Sequence, residues 1–426
     1  MRFVSFVGLF VLLAIAWLMS NNKRKIRPRV IFWGVGLQLL FAMIILSQNI
    51  LSMIGMFIFL SMILLYLFAP RIAQQSGWNR QAAFTAGIVA GGAVLSGAGY
   101  FLDRLGLGWG AMAAIALLFG WGAFKKKNAF KQSTIMAFLG VGFGMIYSRN
   151  LYGKTIMQFL SEKVDAFLRL TDLGTSFLFG NLIKPEYYFP GSETWPGFGF
   201  QFAFAVLPTI IFFAAFMSIL YHFGIIQKIV VGMSRFMRWT IGTSGAETLS
   251  CTSNIFVGQT EAPLLIKPFL HDLTLSEMTT VMVGGFATIA GGVLAGYIRM
   301  GIDPAHLIAA SVMSAPAALV IGKMIFPETE HSKTAGDLEM PEVQQTDNVL
   351  EAASVGIIDG LKLAANVGAM LVGFIALIGL VDVILNFFDG IIDGQILGGQ
   401  AVEITGTPFS PVTSQYEGIF PGSLGR

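Results

Sequence analysis

The sequence predicts an all-α fold: a polytopic helical membrane protein with a re-entrant helical hairpin and interfacial amphipathic helices. Three observations carry that expectation. Of 426 residues, 55% are hydrophobic and 12% are charged, where soluble domains run near 25% charged. Several apolar runs reach the ~20 residues that a helix needs to cross a bilayer core. A stretch at 250–270, SCTSNIFVGQTEAPLLIKPFL, places Asn254, Gly258, Gln259, Thr260 and Glu261 at the centre of an otherwise apolar segment. A β-barrel would show short alternating segments instead, and the sequence has none.

Composition also excludes function classes. A net charge of +3, dispersed over short loops, does not describe a nucleic-acid-binding surface. Cys251 is the sole cysteine, so an internal disulfide and a thiolate metal cluster are both ruled out. His222, His271, His306 and His331 are scattered without metal-ligand spacing. No nucleophile–base–orienter set, P-loop or dinucleotide fingerprint is present, so the expectation is a protein that is no enzyme and has no cofactor.

Taken in order, Phe3–Ser20 reads as a first span, because it lacks a small-x-small cleavage site and a basic loop follows it. Val30–Ser47, Leu51–Ala69, Ala82–Leu102, Leu107–Phe124 and Ser133–Tyr147 are further spans. Lys23, Arg24, Lys25, Arg27 and Arg29 follow the first, Arg71 and Arg80 the third, and Lys125, Lys126, Lys127 and Lys131 the fifth. The positive-inside rule then sets these loops in the cytoplasm and the N-terminus outside. Gly153–Leu170 mixes charges with regularly spaced apolar residues and fits an interfacial amphipathic helix. Phe202–Tyr221 is a span in which Pro208 predicts a kink. Gln227–Trp239, amphipathic and basic, is again interfacial.

The polar stretch comes next. Thr248 or Ser250 can cap a first half-helix, Gly258 is a break, and Pro263 suits the first turn of a second half-helix. That predicts a hairpin with its GQTE turn at membrane depth, where irregular backbone survives only if protein buries it or a cavity wets it. An ionisable Glu261 at that depth marks a binding site by default, or else a gate or a partner for Lys267. Asn254 reads equally well as a ligand or as interhelical glue. Glu277–Tyr297 follows, a span rich in small residues whose bare carbonyls can hold a cation or which simply lets helices pack closely. Pro304–Ile325 is a span, residues 327–348 a solvated linker, Val349–Lys362 an amphipathic segment and Ala364–Phe387 the last clear span.

The motifs LGTSFLFGNL, AVLPTIIFF, SNIFVGQTEAPLLIKPF, GGFATIAGGVLAGY, PETE and AANVGAML, in their order and spacing, resemble the concentrative nucleoside transporters. These are cation-coupled nucleoside symporters of bacterial inner membranes and animal plasma membranes. The resemblance covers Phe3–Ser47 and about Lys154–Phe387. It implies four regions: N-terminal helices at 1–47, an extra transmembrane module at 48–153, a transporter core at 154–387 with its hairpin at 247–270, and the start of a second half at 388–426. In the family, that second half supplies a second hairpin and a ribose-binding glutamate. Its apparent absence leaves the alternative of a truncated, non-transporting relative that binds nucleosides weakly.

By this resemblance Gln259, Thr260 and Glu261 would hydrogen-bond a nucleobase and Val293 would pack on it. Asn254 and Thr288 side chains, with the backbone carbonyls of Val257 and Ile289, would coordinate a co-transported sodium, or the coupling ion would be a proton. Thr288 stands where the short members carry serine, and the hydroxyl is retained. The resemblance further implies a bacterial inner-membrane location, a homotrimer, and as partners a nucleoside, a monovalent cation and the lipid bilayer. It assigns no role to Glu247.

Overall fold

The computed structural model describes residues 2–73, 78–124, 128–188, 199–256, 258–259, 262–334, 346–396, 401–403 and 414–416. Among these, helices dominate. The N-terminal part runs α1 (Arg2–Leu18), α2 (Pro28–Leu46), α3 (Ile50–Ala73), α4 (Trp78–Arg104), α5 (Gly108–Phe124) and α6 (Asn128–Ser148). Next come α7 (Gly153–Leu168), α8 (Thr171–Phe179), and two single turns, α9 (Pro185–Tyr188) and α10 (Phe202–Ala205). The remainder is α11 (Leu207–His222), α12 (Ile225–Ile241), α13 (Gly245–Ser253), α14 (Leu275–Ala287), α15 (Gly291–Arg299), α16 (Pro304–Ile325) and α17 (Val349–Asp389).

Seven helical stretches among the described residues are long and apolar enough to cross a membrane, from Pro28–Leu46 to Val349–Ile392. The protein is a multi-pass membrane protein. The expected first and fifth spans form shorter apolar helices, Val7–Leu18 and Gly108–Phe119.

Phe202–His222 is one span with a kink at Val206, two residues before Pro208, as expected. The structure departs from the expected elements in four places. Glu277–Tyr297 is broken into α14 and α15. The returning arm of the hairpin, Ala262–Asp272, is a 3-10 segment and not an α-helix; Pro268, in its interior, has no N–H to give an i→i−4 bond. The separate segments expected at 349–362 and 364–387 are one helix of 41 residues. Beyond a π-helical turn at Gly390–Ile396, β1 (Ala401–Glu403) pairs antiparallel with β2 (Ser414–Tyr416), a short ribbon in an otherwise helical chain.

Two capping boxes of the S/T-x-x-E type open the two half-helices that shape the centre of the molecule: Ser244 with Glu247 for α13, Thr274 with Glu277 for α14. The cap of α13 is therefore Ser244, earlier than the expected Thr248 or Ser250, which are buried inside the helix. The α12 helix ends at Gly242, whose φ of 85° supplies the left-handed turn into the hairpin. The main core gathers Leu37, Leu40 and Phe41 of α2, Met237 and Ile241 of α12, Cys251 of α13, and Ala315 and Leu319 of α16. On the other side α11 and α17 pack backbone to backbone: a Cβ added to Gly356 would lie 2.7 Å from Ala215 Cα, and one added to Gly360 2.8 Å from Ile211 Cα.

Candidate functional site

The site is built where two chain breaks meet. The α13 helix stops at Ser253, and Asn254 caps its C-terminus with 1% of its surface exposed. Among the described residues, neither polar atom of the Asn254 amide has a hydrogen-bond partner. The α14 helix stops at Ala287, Thr288 turns extended (φ −119°, ψ 144°), and α15 restarts at Gly291. Such a break leaves the last carbonyls of one half-helix and the first amides of the next without intrahelical partners.

Close packing sets these breaks side by side. A Cβ on Gly284 would come within 2.8 Å of Cys251 Sγ and 3.5 Å of Asn254 Nδ2, so a glycine is what lets α14 approach the α13 amide. A Cβ on Gly291 would meet the Phe256 carbonyl oxygen at 2.3 Å, which places the hairpin turn directly against the start of α15. On its far side α15 rests on α11 and α17, with Gly292 facing Ile210 and Leu363.

A third element contributes groups that the sequence reading missed. Ser311 of α16 donates to the Ile255 carbonyl at 2.9 Å, and Ser314 Oγ lies 3.1 Å from Thr288 Oγ1. Thr288 Oγ1 also donates to Gly284 O at 2.9 Å, and Ser314 Oγ to Ser311 O at 2.7 Å. The signal in the sequence was present, two hydroxyls three residues apart in an apolar helix just before Pro316, but it has no motif strength by itself. Asn254 and Ser311, buried, and Thr288 and Ser314, half-buried, set uncharged oxygen-bearing groups around the two breaks. Hard cations take oxygen ligands, and a site without carboxylates holds a monovalent ion weakly.

Of the other expected residues, Gln259 is exposed, and a Cβ on Gly285 would sit 3.4 Å from its Cβ, so it lies over α14. Val293 is half-buried on α15. Ile289 is half-buried and packs with Leu168, Ala295 and Ile298. Val257, Thr260 and Glu261 lie outside the described residues.

Sequence models of a single family match three regions. "Na+ dependent nucleoside transporter N-terminus" matches residues 7–63, "Nucleoside recognition" residues 203–303, and "Na+ dependent nucleoside transporter C-terminus" residues 306–415. The chain belongs to the concentrative nucleoside transporters. The N-terminal match reaches into α3, and the middle one spans both breaks described above. Sodium/nucleoside cotransporter 1 of Rattus norvegicus is 42% identical over 267 residues, which is 62% of this chain and 39% of that protein. The Homo sapiens cotransporter of the same name is 39% identical over 304 residues, 69% of this chain and 43% of that one. This chain thus spans about two fifths of the length of the curated relatives it matches. Among solved structures, CNTnw in an inward-facing substrate-bound state aligns with a TM-score of 0.61 and 28% identity, covering 91% of this chain and 67% of that one.

Proposed function

We propose that this chain carries the cation half-site and the base-reading hairpin of a sodium-coupled nucleoside symporter. The observation that carries the reading is Asn254, an amide buried at the meeting point of two broken helices with neither polar atom partnered. An unpartnered buried amide costs about 1–3 kcal/mol, and a ligand that binds there recovers it. A sodium ion fits the uncharged oxygens of Asn254 and Thr288, with the backbone carbonyls of Val257 and Ile289 completing its shell. Gln259, Thr260 and Glu261 offer donors and acceptors to a nucleobase edge, and Val293 an apolar surface beneath it. Sodium coupling is favoured over proton coupling by the family match, whose models are described as Na+ dependent, and by the relatives, which are named as sodium/nucleoside cotransporters.

Coupling has a physical basis in this arrangement. A cation that ties Asn254 on α13 to Thr288 after α14 orders the hairpin turn carrying Gln259 and Glu261, so each ligand raises the affinity for the other. The setting is a bacterial inner membrane, with the N-terminus outside and the chain assembled as a homotrimer. The test is uptake of radiolabelled uridine and adenosine into vesicles holding the full chain, with and without a sodium gradient. Sodium-dependent uptake that Glu261→Gln abolishes is the expected result. Uptake driven by a pH gradient alone would overturn the choice of ion, and no uptake by folded, inserted protein would overturn symport by this chain.

A further inference from the structure

The base of the hairpin holds a buried polar cluster that the proposed half-site does not use. Glu247, fully buried, accepts from its cap amide Ser244 N at 2.8 Å through Oε1, while its Oε2 lies 2.9 Å from Lys323 Nζ. Glu277, equally buried, accepts from Thr274 N at 2.9 Å through Oε2 and from the Thr334 hydroxyl at 2.6 Å through Oε1. Ser332 donates to that same Oε1. Lys323, near the end of α16, donates to Ser276 Oγ at 2.9 Å and Glu328 Oε2 at 3.0 Å. Glu328 Oε2 also accepts from Thr274 Oγ1 at 2.9 Å, and Gly245 N donates to the Thr334 carbonyl at 3.0 Å.

These bonds share a direction. Apart from the two cap bonds and the Lys323–Glu328 pair, each one ties the start of α13 or α14 to Lys323 or to the loop Phe326–Thr334 that follows α16. Between that loop, the hairpin base and the stretch after α1 lies a cavity of about 250 Å³, lined by Lys25, Arg27, Ser244, Glu247, Lys323 and His331 among others. The fastening thus borders open space and not a packed wall, which leaves room for the loop to shift when these bonds part.

We infer that Lys323 and the loop Phe326–Thr334 form a clasp that holds α13 against α14, with Lys323 the positioning residue that sets the seam in which Asn254 meets Gly284. The clasp rests on the hydrogen bonds and ion pairs above; only its consequence for the cation rests on the proposed half-site. One turn separates Glu247 from Cys251 and nearly another separates Cys251 from Asn254, so the thiol lies within the seam. It is fully buried, with Sγ 3.6 Å from Thr280 O and directly beneath Gly284. The sole cysteine of the chain is thus a built-in reporter of seam opening.

The experiment is maleimide labelling of Cys251 in membranes holding the full chain. Comparison is made between the unmodified protein, Lys323→Gln, Thr334→Val, Thr334→Ser and Lys333→Gln. Lys323→Gln leaves Glu247 and Glu328 buried without their cation, so labelling is expected to accelerate at least about tenfold, or about 1.4 kcal/mol in the opening equilibrium. Thr334→Val, which removes one hydroxyl and no charge, is expected to accelerate it less, and Thr334→Ser is expected to behave like the unmodified protein. Lys333→Gln is the control, because among the described residues that exposed ammonium pairs with the exposed Asp272, at 3.0 Å, and not with the buried carboxylates. If Lys323→Gln yields no folded protein, Thr334→Val carries the same test. Unchanged labelling in every folded variant overturns the clasp. Faster labelling that sodium then suppresses supports clasp and half-site together, whereas faster labelling indifferent to sodium keeps the clasp and counts against the cation site.

Discussion

A partnerless amide is an expensive thing to bury, and Asn254 gives the folded chain no return for it until something binds. Removing it should therefore separate stability from function. Asn254→Leu, similar in size and apolar, is expected to leave thermal stability equal or improved by about 1–2 kcal/mol. It should also abolish the sodium-induced rise in melting temperature, against choline buffer, that is expected of the unmodified protein. A variant that still gains stability from sodium would remove Asn254 from the cation site. Thr288 permits a finer test, because its hydroxyl bridges Gly284 O and Ser314 Oγ. Thr288→Ser keeps that oxygen and should keep sodium dependence. Thr288→Val removes it, and half-saturation by sodium is expected to rise about tenfold, or about 1.4 kcal/mol, measured by uptake at saturating nucleoside.

At the scale of elements, glycine placement decides which helices can approach. In the 48–153 region α4 and α6 meet at Gly99 and Gly144: an added Cβ at Gly144 would lie 2.0 Å from Ser96 O, and one at Gly99 2.3 Å from Val141 O. Both obstacles are backbone, which has no rotamer to yield. Gly144→Ala is expected to destabilise this helix pair by about 1–3 kcal/mol. Gly97→Ala, on the open face of α4 with nothing within 4 Å, should be silent or slightly stabilising. Thermal unfolding in detergent checks both, and equal effects would refute the packing. The same contrast explains what the sequence could reveal. Apolar runs and basic loops announced the helices, because hydropathy is a property of single residues summed over a window. The kink at Val206 was legible through Pro208, whereas the break after Ala287 was not, since it has no proline and is held by residues distant in sequence. Asn254 and Thr288 were legible through motif and chemistry. Ser311 and Ser314 were not, because only the fold brings α16 beside them. Glu247 had no assigned role in the sequence and emerges as a capping residue with a buried ion pair.

For the molecule as a whole, the contacts sort its loops into two ends. At one end Asn21 N donates to Ile325 O at 2.9 Å, and Arg29 reaches the Trp239 and Thr240 carbonyls at the close of α12. Tyr66, two turns before the end of α3, packs at a tilt against Trp239, so the end of α3 is drawn to the same place. At the other end Gly153 N donates to Ser52 Oγ and Ser161 to Asp303, while Arg299 pairs with Asp172 at 2.6 Å. The first end collects Lys23, Arg24, Lys25, Arg27, Arg29 and Arg71 together with the hairpin base. By the positive-inside rule we propose that this end, and with it the hairpin base, faces the cytoplasm. In a Cys251→Ser background, Gln48→Cys lies in the exposed turn between α2 and α3, whereas Arg24→Cys and Glu330→Cys are exposed at the basic end. An impermeant maleimide added to intact cells is expected to label Gln48→Cys alone, and inside-out vesicles should label the other two alone. The reverse pattern would invert the orientation and set the hairpin base, with its clasp, on the outer face. Labelling of Arg24→Cys and Glu330→Cys from opposite sides would instead break the loop contacts that join them at one end, and with them the placement of the half-site between the two ends.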